Sequence, residues 1–376
     1  MIQVEARLGI LQRVLPDYRS TFFDALAAVC LNGLSVFAGQ ARPEENIAQG
    51  KLHTAHLFPA NNLHFLHGKR YLCWQRGLVT WLEHWQPEVL IVEANPRYLH
   101  LPMAVRWMHN RGLPVIGWGL GAPPAGKGLF ATLRQSTRRR FIRQFEALIT
   151  YSQTGANQYR DAGFPPERIF VAPNAVASKP TEPPTPRPNA FLDAPTLLFV
   201  GRLQERKRVD LLISACAALA PQHYPRLWIV GDGPAKNSLE TLARQIYPKT
   251  EFFGARRAEE LQPFFRQADL FILPGTGGLA IQQAMSFALP VIAAEADGTQ
   301  ADLVRQANGW QIPPGNLEAL VSTLKIALSD PARLRSMGSE SYRIVSEEIN
   351  LEKMVEVFAS AVHSVWKESN AHPADR

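Results

Sequence analysis

Cysteine is scarce in this 376-residue chain: Cys30, Cys73 and Cys216 are the full set, and their wide separation excludes a zinc-type ligand cluster. Three scattered thiols in apolar surroundings fit reduced structural cysteines of a cytosolic protein. Long hydrophobic runs are missing as well. The strongest, residues 270–273 and 289–294, fall far short of the roughly 20 residues that a membrane-spanning helix needs. The opening MIQVEARLGILQRVL has charges where a secretory signal requires an unbroken apolar stretch, so no such signal is expected. No G-x-G-x-x-G follows a strand-like segment and no G-x-x-x-x-G-K-[ST] occurs, which counts against dinucleotide oxidoreductases and P-loop NTPases. Without an Asp-x-Asp pair, no obligatory metal is expected.

What is present is globular: 46% hydrophobic and 19% charged residues, in a chain long enough for two cores. The net charge of +7 is uneven. Residues 1–177 carry 19 Lys/Arg against 11 Asp/Glu, while the remainder carries 21 against 22. Much of the excess lies in residues 127–145, KGLFATLRQSTRRRFIRQF, where arginines alternate with Phe130, Leu133, Phe141, Ile142 and Phe145. As a helix this segment is basic and amphipathic. It reads either as a surface helix with its apolar side on the core or as a contact for anionic lipid headgroups, at the inner face of a membrane. No nucleic-acid module accompanies the charge, so no nucleic-acid partner is expected.

In chain order, strand-like and helical stretches alternate through the first half, with strands expected near residues 7–15, 34–37, 89–93, 114–118 and 147–151. Residues 40–75 read as loop; their histidines, His53, His56, His64 and His67, have no metal-ligand spacing. Ser152 is placed to cap a following helix. Five prolines between Pro180 and Pro188 stop helix and inner strand alike, and mark a stiff linker. The expected domains are 1–177, a linker at 178–194, a second domain at 195–350, and a closing helix in 351–376 that packs back on the first. In the second half, strands at 196–200, 227–230, 251–253, 270–273 and 291–293 are apolar throughout, with helices between them. That pattern argues parallel sheets covered on both faces, hence two doubly wound, Rossmann-like α/β domains facing a cleft. Ligands of such domains bind beyond the carboxyl ends of the strands.

Those ends carry the candidate chemistry. The first strand of the second half ends in Gly201-Arg202-Leu203, with Lys207 following; an arginine fork and a lysine point charge suit a diphosphate. The next ends in Gly231-Asp232-Gly233-Pro234, and another in Phe253-Gly254, where exposed backbone would read a base edge. Residues 268–293, ADLFILPGTGGLAIQQAMSFALPVIA, run from strand through a Pro-Gly-Thr-Gly-Gly turn into a helix starting at Leu279. A helix opening on Gly277 and Gly278 aims bare N–H groups and its positive dipole end at the space above the sheet edge, a setting for phosphate.

Taken together, FVGRL with Lys207, VGDGP, FFGAR, ADLFILPG and the Gly-Gly-Leu helix followed by LPVIA resemble the retaining glycosyltransferases of family 4, which have the GT-B fold. The resemblance is strong over about residues 195–330. In the first half it rests on the fold pattern, on ITYS at 149–152 and on VAPNAV at 171–176. It implies a nucleotide-diphosphate sugar donor on the second domain, with Arg202 and Lys207 neutralising the departing diphosphate, Gly201, Gly231, Gly277, Gly278 and Leu279 lining the donor, and Phe253 near the base. It implies a lipid-linked or glycan acceptor on the first domain, where Tyr18, Arg19, Asn95, Arg97 and Trp118 stand at strand ends. Two departures are clear. Where the family has a glutamate, seven residues and a second glutamate, this chain has Gly275 and Gln283; Gln283 keeps hydrogen-bonding capacity for a ribose, whereas Gly275 has none. The strand that ends at Trp118 continues as Gly119-Leu120-Gly121 without the family's histidine, and His100 and His109 do not match that position. The alternatives to transfer are a catalytically degenerate protein that binds sugar nucleotide or partners, and a sugar-nucleotide epimerase.

Overall fold

The computed structural model describes residues 2–371 apart from 46, 124–125, 127–130, 192, 220–223 and 257. The chain forms two compact units: one holds the residues up to Val176 together with those from Leu351 onward, the other is Ala177–Asn350.

The first unit runs β1 (Leu8–Val14), α1 (Ser20–Ala27), β2 (Leu34–Gly39), β3 (His56–Pro59), β4 (Asn61–Phe65), β5 (Leu72–Arg76) and α2 (Leu78–Trp85). It continues through β6 (Val89–Glu93), α3 (Leu101–His109), β7 (Val115–Gly119), α4 (Ala131–Ile142), β8 (Ala147–Thr150), α5 (Gln153–Asp161) and β9 (Ile169–Val171). Seven strands form one parallel sheet in the order β3-β2-β1-β6-β7-β8-β9. Alternate residues of β6 serve opposite cores: Val89 and Ile91 pack with Phe22 and Phe23 of α1, Leu90 and Val92 with Trp81 and Met108 of α2 and α3. This double burial is why the strand is apolar at every position. Ser152 accepts the Gly155 N–H at 3.0 Å and caps α5.

The second unit runs β10 (Thr196–Val200), α6 (Val209–Leu219), β11 (Arg226–Val230), α7 (Lys236–Ile246), β12 (Thr250–Phe252), α8 (Gln262–Gln267) and β13 (Leu270–Leu273). Then come α9 (Leu279–Ser286), β14 (Val291–Ala294), α10 (Thr299–Leu303), β15 (Gly309–Ile312), α11 (Leu317–Ser329) and α12 (Pro331–Glu347). Its six-stranded parallel sheet has the order β12-β11-β10-β13-β14-β15. The last helix, α13 (Leu351–Ala371), belongs to the first unit: it packs on α1, β8 and β9, and its Phe358 lies 4.8 Å from the rings of Phe22 and Trp118.

Three findings differ from the sequence expectation. The supposed loop of residues 40–75 contains β3 and the antiparallel hairpin β4–β5. β3 and β4 are exposed or half-exposed and β5 buries only Cys73 and Gln75, so they lack the apolar runs that reveal the inner strands. The proline-rich segment is fastened to the second unit: the half-buried Arg187 side chain donates to the carbonyls of Ala268, Phe287, Ala288 and Phe265. The basic helix is described from Ala131 onward, its expected start at 127–130 lying outside the described residues. Its apolar side is broken, because Ile142 and Phe145 enter the core while Leu133 is 63% exposed.

Candidate functional site

In each sheet the strand order reverses beside the first strand, between β1 and β6 and between β10 and β13. Backbone from the two flanking crossovers diverges there, leaving a crevice beyond the carboxyl ends of the strands.

At the second-unit crevice the loops after β10, β11 and β12 are laced by backbone hydrogen bonds: Gly201 N to Val230 O at 3.0 Å, Leu203 N to Asp232 O at 2.9 Å, and Gly231 N to Gly254 O at 2.8 Å. A β-carbon on Gly231 would overlap the Gly201 carbonyl, so this glycine lets two loops touch. Arg202 follows, half-buried. A 3-10 turn at Glu205–Lys207 then lies directly on the turn after β13. Thr276 N donates to Arg206 O at 3.0 Å, Arg206 Nη1 to Thr276 Oγ1 at 3.1 Å, and Lys207 Nζ to Thr276 O at 2.6 Å. Lys207 Nζ therefore sits over Gly277, whose φ of +128° and lack of a side chain make room for the ammonium. Burial, reinforced by the neighbouring Arg206 charge, pulls the Lys207 pKa down to about 8. Helix α9 starts immediately after, with Gly278 at its N-cap and no side chain capping its first N–H groups. Gln300 Nε2 holds the Gly277 carbonyl at 2.8 Å.

Phe253, past the end of β12, stands in an aromatic group with Trp228 at 5.7 Å and Phe264 at 4.8 Å between ring centroids. Gln283 is half-buried on α9 and makes no side-chain hydrogen bond among the described residues. Its neighbour Gln282, which sequence reasoning passed over, is buried. It exchanges hydrogen bonds of 3.3 Å with both backbone groups of Ala177, and donates to Ile349 O at 3.0 Å. The first residue of this unit and the one before its last are thus tied to one side chain of α9.

The first-unit crevice is built from side chains. Arg19, one turn past β1, is buried at 6% exposure against the rings of Trp118 at 5.0 Å, Tyr151 at 5.3 Å and Tyr18 at 5.8 Å. Tyr18 itself is 45% exposed. Asn95 and Arg97 lie in the turn after β6, where the Asn95 side-chain Oδ1 accepts the Arg97 N–H at 3.1 Å; the Arg97 side chain is exposed. Sequence reasoning missed Glu93, the last residue of β6 and the register partner of Trp118. One carboxylate oxygen accepts the Arg13 N–H at 2.6 Å. Burial raises its pKa, against the lowering effect of that bond and of the Arg13 and Arg19 charges. A lone acid at the end of an apolar strand was the available signal. Beside it, Arg13 pairs with Glu45 at 2.9 Å; burial opposes the Glu45 charge, but the bonds to Arg13 and Arg42 outweigh it and lower its pKa. His100 is fully buried and its Nδ1 accepts the Gln75 N–H, a structural position. Among the described residues no group of three or more His, Cys, Asp or Glu is arranged to hold a metal, and no helix is long and apolar enough to cross a membrane.

Comparison with known proteins fits this arrangement. The family model described as "Glycosyl transferases group 1" matches residues 194–330, and "Glycosyl transferase 4-like domain" matches residues 27–175. The chain belongs to the family 4 glycosyltransferases of the GT-B fold. A lipopolysaccharide core biosynthesis glycosyltransferase, LpsE of Rhizobium meliloti, is 25% identical over 64% of this chain and 74% of its own length. A D-inositol 3-phosphate glycosyltransferase of Kineococcus radiotolerans is 30% identical over 56% of each. For several other curated relatives the matched segment spans only 19–48% of the relative's own length. Among solved structures, Anabaena HepE in complex with UDP superposes with a TM-score of 0.69 at 17% identity, over 95% of this chain and 99% of that one, a likeness of fold.

Within the family 4 pattern, the structure gives the missing first glutamate a physical form. A β-carbon at Gly275 would overlap the Arg206 carbonyl and the backbone of Lys207. The 205–207 turn has closed over the place where a side chain at 275 would go, and Lys207 is locked to Thr276 by that same contact.

Proposed function

We propose that this family 4 glycosyltransferase moves a sugar from a nucleotide-diphosphate donor to a lipid-linked or polysaccharide acceptor, with retention of configuration. The observation that carries the reading is Lys207 held above the glycine turn that opens α9, with Gly201 and Arg202 beside it at the switch point of the second sheet. A cation, an uncapped helix start and a floor without side chains together complement a diphosphate. The UDP complex of HepE supports a nucleotide-sugar donor.

In this mechanism the chain has little covalent work to do. As the sugar–phosphate bond lengthens, negative charge grows on the leaving diphosphate. Lys207, Arg202 and the first amides of α9 stabilise it, and Lys207 and the turn that opens α9 are already fixed by Thr276 and Gln300 before reaction. The acceptor proton passes to a donor phosphate oxygen, so no protein carboxylate is required at position 275. No obligatory metal enters. Phe253 contacts the base and Gln283 the ribose. The first unit holds the acceptor, and the arginines of α4 and its C-terminal flank, Arg134, Arg138, Arg139, Arg140 and Arg143, attract an anionic membrane surface on the cytoplasmic side.

A second reading has one observation in its favour. Position 275 has neither a carboxylate nor room for one, which fits a protein that binds sugar nucleotide without transferring it. A calorimetric and thermal-shift screen of the whole chain against UDP-, GDP-, ADP- and TDP-sugars, repeated on Arg202→Ala and Lys207→Ala, tests the donor site. Stabilisation by one nucleotide, lost in both variants, is the expected result; indifference to all four sinks the donor reading. Release of free nucleotide diphosphate in the presence of glycan acceptors then separates transfer from binding.

A further inference from the structure

The half-buried arginines of the chain are better partnered than its buried one. Arg187 has four carbonyl acceptors and Arg13 has the Glu45 carboxylate. Arg19, with 6% of its surface exposed, has neither. The sole hydrogen-bond contact of its guanidinium is the Met354 sulfur at 4.0 Å, a weak acceptor, and no carboxylate lies within ion-pair distance among the described residues. Its other neighbours are the faces of Trp118, Tyr151 and Tyr18. Trp118 is 2% exposed, and its indole Nε1 has no acceptor either.

A guanidinium is therefore held at the switch point of the first sheet with no hydrogen-bonded or ion-paired anion among the described residues, and Glu93 acts on it only through longer-range charge. Folded proteins normally satisfy buried donors, and burying a cation without a partner is strongly unfavourable. Aromatic faces recover part of that cost for a guanidinium, but they leave its in-plane N–H groups unsatisfied. Glu93 does not fill the role, because its bound oxygen is taken by the Arg13 backbone N–H and its carboxylate makes no ion pair with Arg19. A residue retained in this state is prepared for a ligand that brings the oxygen atoms.

We propose that Arg19 is the docking point for an oxyanion, carboxylate or phosphate, carried by the acceptor sugar. The guanidinium fork donates to two oxygens of either group, and the half-exposed Tyr18 ring offers an apolar face to the pyranose beside it. The proposal rests on reading the first unit as the acceptor side. It narrows the acceptor class to acidic or phosphorylated sugars.

The test uses saturation-transfer NMR on the full chain with three small probes: glucuronate, glucose 1-phosphate and neutral glucose. At least one acidic probe binds at least tenfold more tightly than glucose, and the tighter of the two names the source of the oxyanion. In Arg19→Gln both acids fall to the level of glucose, and Arg19→Lys, which keeps the charge but loses the fork, lies between. Equal binding of all three probes to the wild type overturns the proposal without need of any variant. So does an acid preference that survives in Arg19→Gln. UDP affinity is measured in the same samples. UDP binding without acid preference defeats this proposal alone, whereas acid preference without UDP binding upholds it and defeats the donor reading.

Discussion

The two crevices share a topology and differ in what lines them. Each lies where a parallel sheet reverses its strand order, yet the second is floored by Gly201, Gly231, Gly275, Gly277 and Gly278, and the first by Arg19, Glu93, Trp118 and Tyr151. A floor of backbone recognises a group through N–H directions and charge, which suits the diphosphate common to sugar-nucleotide donors. A floor of side chains recognises shape and individual oxygens, which suits an acceptor that differs from enzyme to enzyme. The fold fixes where ligands go; the ratio of glycine to large side chains decides how much of each ligand is read.

The largest test of this contrast is to put a side chain on the glycine floor. Gly275→Glu restores the family 4 carboxylate in name, but its β-carbon meets the Arg206 carbonyl. Overpacking against backbone costs about 3 kcal/mol, roughly 6–12 °C in melting temperature for a unit of this size. UDP binding falls with it, because the displaced turn carries Lys207. A variant that melts as the wild type does and binds donor more tightly would show that the 205–207 turn yields easily, and the backbone-floor argument would fail.

Next in size are the adjacent glutamines of α9. Gln282→Ala leaves Ala177 and Ile349 backbone groups without their partner and costs about 1–3 kcal/mol of stability in denaturant melts. Gln283→Ala, with no hydrogen bond to lose, shifts stability by less than about 0.5 kcal/mol and acts on nucleotide affinity instead. Lys207→Ala removes one charged contact to phosphate, worth about 1.5–3 kcal/mol, or roughly 10- to 100-fold in UDP affinity by calorimetry. A loss below threefold would mean that Thr276, not the diphosphate, is the true partner of Lys207.

How much of this was legible in sequence follows from the same contrast. The inner strands showed themselves because burial on both faces demands apolar residues throughout, and the glycine turns because glycine is written in the chain. β3 and the β4–β5 hairpin did not, since strands buried at few positions or none need no apolar run. Arg19 and Trp118 were named as strand-end residues, but their stacking, and the lack of an ion-pair partner for Arg19 among the described residues, depend on a tertiary arrangement that brings in Tyr151 and Met354 from more than 100 positions away. Gln282 and Gln283 look alike in sequence; only tertiary structure buries one and leaves the other half-open. Gly275 read as a missing carboxylate, while the turn that fills its place comes from residues 70 positions earlier.

The smallest expected effect sets the two crevices against each other through pH. Burial shifts Glu93 in the first and Lys207 in the second, with opposite consequences for stability. In the first unit the Glu93 pKa is raised above its ordinary 4.5. As pH climbs past that value the unfolded chain releases the proton before the folded one, so the folded state holds more protons and stability declines with rising pH. In the second unit the Lys207 pKa is lowered from 10.5 to about 8. Between those values the unfolded chain holds the extra proton, and stability increases with rising pH. Glu93→Gln therefore flattens the decline above pH 4.5 and leaves the alkaline limb alone, while Lys207→Met flattens the gain between pH 8 and 10.5 and leaves the acid limb alone. Chemical denaturation of both variants across pH 4–10.5 measures this directly. UDP affinity of the wild type should also fall as pH passes about 8, where Lys207 loses its charge, and should stay level in Lys207→Arg. If one substitution alters both limbs, the two crevices are coupled through folding rather than tuned separately, and the assignment of one ligand chemistry to each would have to give way.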